Sequence, residues 1–523
     1  MRTIFFLLLA TGMTCMARAE VRLAEIFNDH MVLQRDRPVP VWGWAEAGRA
    51  VTVKFGSQTK TTRTGENGRW KVMLDPLPTS ELPQNLMVSA QTSVAVVKDV
   101  VVGEVWLCAG QSNMGMTVKN VRNAEKEIKA ANFPLIRMYF VRSPAASTPQ
   151  EHGQGLWHAC APRTVPNFSA TAYFFGRALH QRLKVPVGLI HASAGGTKIE
   201  AWTSLAAMEK APELQPLLDR WRRDVAVFEQ PDHLPRNEAA KKEWQDAVKA
   251  AISAKQPLPP TPAYLGRDPL HPNRPGNLFN GKIAPLIPFA FRGTIWYQGE
   301  ANVANGPLYA VQLPLLIQDW RTRWGADFPF AWVQLPNFMK REPDPDAAST
   351  WARLREAQSQ ALSVPKTGMT VNIDLGDQND VHAKNKQEIG HRLALWARAE
   401  VYGEKIEWSG PRYQSHAIRS REVVIQFSHA QGLKTKDGGA AVNGFALADG
   451  THHWRWADAR IEGGQVIVSH PEIESPAAVR YAWANNPEVN LVNAAGLPTA
   501  PFRTDDWPMD RASRPQTAKA GAE

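Results

Sequence analysis

The sequence predicts an α/β protein built on a parallel sheet, with all-β regions at both ends. Three observations carry this. Apolar runs at 100–102, 105–109, 187–191, 293–297, 330–335 and 369–375 read as strands buried on both faces, as a parallel sheet requires. Helical patterns at 173–183, 309–324 and 387–400 separate them, and strands alternating with helices imply βαβ units. Outside this stretch the periodicity changes. Val51, Val53 and Phe55 alternate with Thr52 and Lys54, and short β-rich runs at 423–425 and 466–468 lack intervening helices.

The elements fall into order along the chain. Residues 1–19 read as a secretory signal peptide: Arg2 gives a positive start, Ile4 to Ala10 are unbroken apolar residues, and Ala17-Arg18-Ala19 offers an A-x-A cleavage site before Glu20. Residues 20–100 form the expected N-terminal β domain, punctuated by turns such as Glu66-Asn67-Gly68. Residues 101–400 form the expected catalytic core. Within it, 204–275 interrupts the rhythm. Leu214, Leu217, Leu218, Trp221, Val225 and Phe228 fall at helical spacing, a second helix covers 238–254, and prolines 257, 259, 260 and 262 then break the chain. This helical insertion reads equally well as a lid or as packing. Residues 401–510 form a C-terminal β region, and the polar stretch 511–523 a disordered tail.

Composition excludes several classes. With 523 residues, 44% hydrophobic and 21% charged, the chain is too long for one core and too apolar for extensive disorder. After residue 20 nothing approaches a membrane span. The formal net charge of +10 is spread over scattered Lys and Arg, which suits a solvated basic surface rather than a nucleic-acid site. Cleavage after Ala19 would leave Cys108 and Cys160, too few for a disulfide scaffold. Cys108 sits in an apolar run and reads as a buried thiol, with a single bridge to Cys160 as the alternative. No metal-ligand spacing occurs, and no metal or organic cofactor is expected.

Chemistry gathers at the strand ends, where open α/β sheets place their working sites. Gly110-Gln111-Ser112-Asn113-Met114 follows the strand 105–109 and can present Ser112 on a tight turn. A turn serine bonded to its own backbone is the plainer reading of that segment alone. A serine nucleophile needs a base and an anion hole. His382 in Asp380-Val381-His382 can take the serine proton, and a carboxylate can orient its ring. Gly195 and Gly196, after strand 187–191, let backbone N–H groups approach an oxyanion. Gln298 and Asn302, after strand 293–297, offer side-chain amides near the same rim.

These segments together resemble the sialate O-acetylesterase family of the SGNH (GDSL-like) hydrolases, over nearly the whole chain. The matching stretches begin with Asp29 to Gln34, Val41-Trp42-Gly43-Trp44, and Gly103-Glu104-Val105-Trp106 running into Gly110 to Met114. They continue through Phe168-Ser169-Ala170, Gly195-Gly196-Thr197, Glu200-Ala201-Trp202 and Asn280-Gly281 with Ala284-Pro285-Leu286. They end with Trp296 to Asn302 and Asp380-Val381-His382 with Lys386. The resemblance implies a three-layer SGNH core with β-sandwich or jelly-roll-like accessory regions. It implies Ser112 as nucleophile and His382 as base. It also implies an oxyanion hole from the Ser112 N–H, a glycine N–H at 195 or 196, and a side chain of segment 296–302.

Two departures leave alternatives open. The superfamily sets its acid three residues before the histidine, where this chain has Asn379; Asp380 lies two before. A triad through Asp380, a dyad steadied by a backbone carbonyl, or service by Asp374 or Asp377 all fit the sequence. Gly299-Glu300-Ala301-Asn302 stands where the superfamily has Gly-x-Asn-Asp, so Asn302 and Gln298 compete for the oxyanion role. Gln111, Asn113, Trp202, Trp296 and Glu300 are the expected substrate-binding residues, the tryptophans by stacking on sugar rings. The expected function is that of an exported, periplasmic or secreted, carbohydrate O-acetylesterase working through a serine acyl-enzyme. Its expected partner is an acetylated mono-, oligo- or polysaccharide: sialic acid, xylan or xyloglucan. A non-catalytic carbohydrate-binding protein, and a lipase or thioesterase of the same superfamily, are the competing readings.

Overall fold

The computed structural model describes residues 20–260 and 266–507; the expected leader 1–19 and the tail 511–523 lie outside the described residues. The central sheet is built from β1 (Ser93–Gly110), β2 (Phe133–Val141), β3 (Gly155–Cys160), β4 (Val187–Ser193), β5 (Gly293–Tyr297), β6 (Phe330–Val333) and β7 (Thr367–Thr370). Their order across the sheet is β3-β2-β4-β1-β5-β6-β7. Every neighbouring pair is parallel except β3 with β2. Helices cover both faces, as a parallel sheet demands. Side chains of β1 alternate between them. Trp106 and Cys108 join a core with Phe174, Phe175 and Leu179 of α1 (Ala170–Leu183) and Leu393 and Trp396 of α4 (Lys386–Trp396). Val105, Leu107 and Ala109 join the opposite core with Tyr309, Leu313 and Trp320 of α2 (Gly306–Trp324) and Leu354 of α3 (Thr350–Gln360).

Two features depart from the sequence reading. The strand expected over 369–375 is Thr367–Thr370, because Asn372 donates its amide to the Thr370 carbonyl at 2.9 Å and turns the chain. The strands β2 and β3 carried no clear apolar signature. In β2 Arg137 breaks the run, yet it is buried, since Asp99 meets its guanidinium at 2.8 Å. Cys108 and Cys160 are buried free thiols.

The N-terminal strands lead directly into this sheet. β1 pairs antiparallel with Ser80–Ala90 along its first half, then lies between β4 and β5 along its second. One continuous strand therefore crosses the boundary expected at 100/101. In the helical insertion, Gln215–Phe228 buries Leu217, Leu218 and Trp221 with Leu308 and Leu315 of α2, whereas His233–Ser253 buries only His233. C-terminally, two four-stranded antiparallel sheets share the larger core. They are pinned to the sheet domain by Arg355, fully buried, which donates to the carbonyls of Leu335, Pro336, Ala484 and Asn485 at 2.8–3.0 Å.

Glu104 pins the other end. It is completely buried and accepts from Arg35 Nε at 2.6 Å, from Arg292 Nε and Nη2 at 2.7 and 2.8 Å, and from the Tyr402 hydroxyl at 3.0 Å. The two guanidinium groups hold its carboxyl below the ordinary range against the opposing effect of burial. Glu104→Ala removes the buried carboxylate that both cations share at the junction. It should destabilise the fold by ~3–5 kcal/mol, the usual cost of breaking a buried pair from one side. Thermal unfolding checks this: a midpoint equal to that of the wild type would contradict the pinning role.

Candidate active site

The nucleophile turn sits where β1 ends. Gly110 has φ +147°, and a Cβ there would stand 2.1 Å from the Tyr297 carbonyl oxygen of β5, so only glycine fits between these strands. Gln111 then donates its N–H to Tyr297 O at 3.0 Å, and its Oε1 accepts from the N–H groups of Gly299 and Ala301. Ser112–Gly115 forms one turn of helix. The start of α1 clamps that turn. Ser169, which caps α1 through the Ala172 N–H, donates its hydroxyl to Met114 O at 2.6 Å, and Thr171 donates to Asn113 O at 3.2 Å. Ser112 thus stands on a fixed backbone with its side chain half-buried at the rim.

The loop between β7 and α4 brings the base. His382 Nε2 lies 3.0 Å from Ser112 Oγ, and Nδ1 lies 3.1 Å from Asp380 Oδ1. The same Asp380 oxygen accepts the His382 backbone N–H at 2.9 Å. This backbone bond, with the ring of His382, holds the Asp380 carboxyl below the ordinary carboxylate range. A carboxylate has no proton to give, so Nδ1 carries the hydrogen and Nε2 is free to accept from serine. The two-residue spacing works because a turn brings the carboxylate back onto both the backbone and the ring. Asp374 is instead occupied by Arg392, at 2.7 and 3.0 Å, and Asp377 caps the Asn379 N–H.

Ser112, Gly115, Met116, Thr117, Asn120, Gly195, Asp380, His382 and Lys384 line an open cavity of about 560 Å³. Hollows of about 670 and 570 Å³ lie among the C-terminal strands and beside Trp42 and Trp44, but neither is lined by a serine, cysteine or histidine. A Cβ on Gly195 would be 3.7 Å from Ser112 Cβ, so the glycine backbone faces the nucleophile. Among the described residues nothing accepts the N–H of Gly195 or Gly196. Gly196, at φ +66°, completes the turn.

The remaining expected residues lie behind the site. Gln298 is fully buried, donates to Thr197 O and Asn302 Oδ1, and accepts from the Tyr309 hydroxyl. Asn302 donates to Glu200 and accepts the Ile199 N–H. With both amides committed inward, neither side chain offers the oxyanion donor expected of it. Trp202 and Trp296 are fully buried, packed edge-to-face at 5.8 Å, so burial denies them the sugar-stacking role. Asn113 is buried as well, and it bonds to Glu300, Val381 and Lys386 rather than facing the cavity. Gln111 and Glu300 likewise spend their contacts inside. Thr117, Asn120 and Lys384, which do line the cavity, went unnoticed in the sequence because they belong to no spacing pattern.

The chain is similar to known proteins over most of its length. Residues 102–227 and 282–398 match the family described as carbohydrate esterase, sialic acid-specific acetylesterase. The chain is 28% identical to sialate O-acetylesterase of Rattus norvegicus over 89% of its length and 90% of the relative. It is also 28% identical to sialate O-acetylesterase of Homo sapiens over 92% of each. A solved carbohydrate acetylesterase from Xanthomonas citri superposes with a TM-score of 0.79 at 33% identity, covering 93% of this chain and 100% of that one.

Proposed function

The chain belongs to the sialic acid-specific acetylesterase family of carbohydrate esterases, and from its site we propose that it is an exported O-acetylesterase acting through an acetyl-serine on Ser112. One observation carries the reading: the unbroken contact chain Ser112 Oγ, His382 Nε2, His382 Nδ1, Asp380 Oδ1 at the edge of an open cavity. In this mechanism Ser112 Oγ bonds to the acetyl carbonyl carbon while His382 Nε2 takes its proton. The carbonyl oxygen becomes an oxyanion, met by the Ser112 N–H and by Gly195 or Gly196. Asp380 balances the imidazolium. The carbon–oxygen bond to the sugar then breaks, His382 returns the proton to the departing sugar oxygen, and water repeats the sequence to release acetate.

The helices on both faces of the parallel sheet support an SGNH-type core, and the leader-like residues 1–19 support export. The substrate proposed is an acetylated saccharide; relatives named for sialate lend weight to acetylated sialic acid, with xylan and xyloglucan as the neutral candidates. The test is acetate release from those three substrates beside release of long acyl chains from model esters. Acetate from at least one saccharide and little turnover of long acyl esters is the expected result. Preference for long acyl esters would overturn it in favour of a lipase or thioesterase, and no hydrolysis at all in favour of a binding protein.

A further inference from the structure

Directly beneath the nucleophile lies a charged group that the mechanism does not use. Asn113 is fully buried, and each end of its amide meets a charge. Lys386 Nζ, also fully buried at the start of α4, donates to Asn113 Oδ1 at 2.5 Å. Asn113 Nδ2 donates to Glu300 Oε1 at 2.5 Å and to the Val381 carbonyl at 3.1 Å. Val381 immediately precedes His382. One side chain thus ties together the nucleophile turn, the histidine loop, the first residue of α4 and the loop after β5. Among the described residues, the second oxygen of Glu300 is buried with no hydrogen-bond partner, and Lys386 otherwise meets the face of Tyr297, 4.7 Å from its centroid. A buried carboxylate and a buried ammonium linked only through an amide are costly to keep, and a plain core would dispense with them.

We propose that Lys386, Asn113 and Glu300 form a positioning network that sets the geometry and the local field in which His382 takes the Ser112 proton. This rests on the reading of His382 as the base. None of the three lines the cavity. Burial raises Glu300 and pushes Lys386 down to about 7, and each charge offsets part of the other's burial cost. Glu300 faces His382 electrostatically from the loop after β5, while Lys386 acts on Asp380 from α4. The other charged groups around the imidazole are on its own loop: Asp380, and Lys384 at 3.7 Å from Asp380. Removing an anion disfavours imidazolium, and removing a cation favours it.

The test uses Glu300→Gln and Lys386→Met in the full chain, with kcat, KM and the pH–rate profile measured on a small acetyl ester. Each variant should lose about tenfold or more in kcat with KM within about twofold, as for groups acting only on the transition state. The pH of half-maximal rate should move down in Glu300→Gln and up in Lys386→Met. A structural role alone would lower stability or kcat without displacing the profile. Either variant is decisive by itself if the other does not fold: an undisplaced profile, or one displaced in the opposite sense, overturns the network's role. A wild-type profile that does not rise as the imidazole deprotonates would instead defeat the assignment of His382 as base, which separates the two failures.

Discussion

Ser112→Ala lowers the turnover number for acetyl-ester hydrolysis on the order of 10⁵–10⁶-fold and leaves thermal stability close to that of the wild type. The serine is half-buried on a turn, and among the described residues its hydroxyl bonds only to the His382 ring, so truncation removes the nucleophile without opening a cavity. The backbone around it is held independently by Ser169 and Thr171. The effect should not add to that of losing the base. Ser112→Ala combined with His382→Ala should be no slower than Ser112→Ala alone, because the two side chains act as one unit. Acetate release above about 1% of the wild-type rate in the alanine variant, or strict additivity in the double variant, would show that another group attacks the ester.

Asp380→Asn should preserve the fold and lower kcat by up to ~10⁴-fold, the loss expected when an orienting carboxylate becomes an amide. Asp380 Oδ1 accepts from both the backbone and the ring of His382. An asparagine can keep the backbone bond, but it carries no charge to balance the imidazolium and can offer its Nδ2–H to the ring in place of an acceptor. Asp380 is held below the ordinary carboxylate range, so it is ionised at neutral pH. A loss below about tenfold would mean that Ser112 and His382 work as a dyad.

Much of this site can be read from the chain before folding, and the unread part has a common cause. Ser112 and His382 stand out because each follows a buried strand whose apolar run is plain, and strand ends gather at one rim. The role of Asp380 is undecidable at that level. Two residues before a histidine, a carboxylate can face the ring or solvent, and only the turn through Val381 decides. Gln298 and Asn302 mislead for a related reason. Their inward partners, Thr197 for Gln298 and Glu200 for Asn302, lie about a hundred residues away, and sequence spacing does not reveal that they compete for the amides. Trp202 and Trp296 sit beside the motifs in sequence but face the core, because Trp202 ends a helical turn and Trp296 lies on a strand whose residues are all buried. The strands β2 and β3 escaped notice because a buried, paired Arg137 looks like surface until its partner Asp99 is seen. Asn113, Glu300 and Lys386 are recognisable as a unit only once the nucleophile turn, the loop after β5 and the start of α4 have been brought together.

The central claim is a covalent acetyl group on Ser112. Acid quenching during turnover of an activated acetyl ester, followed by peptide mass analysis, tests it most directly. The account predicts one acetyl group on the peptide carrying Ser112, formed at the rate of alcohol release, absent in Ser112→Ala, and accumulating when water attack is slowed. Rapid alcohol release with no acetyl on Ser112, or acetyl on another residue that turns over at the catalytic rate, would contradict it.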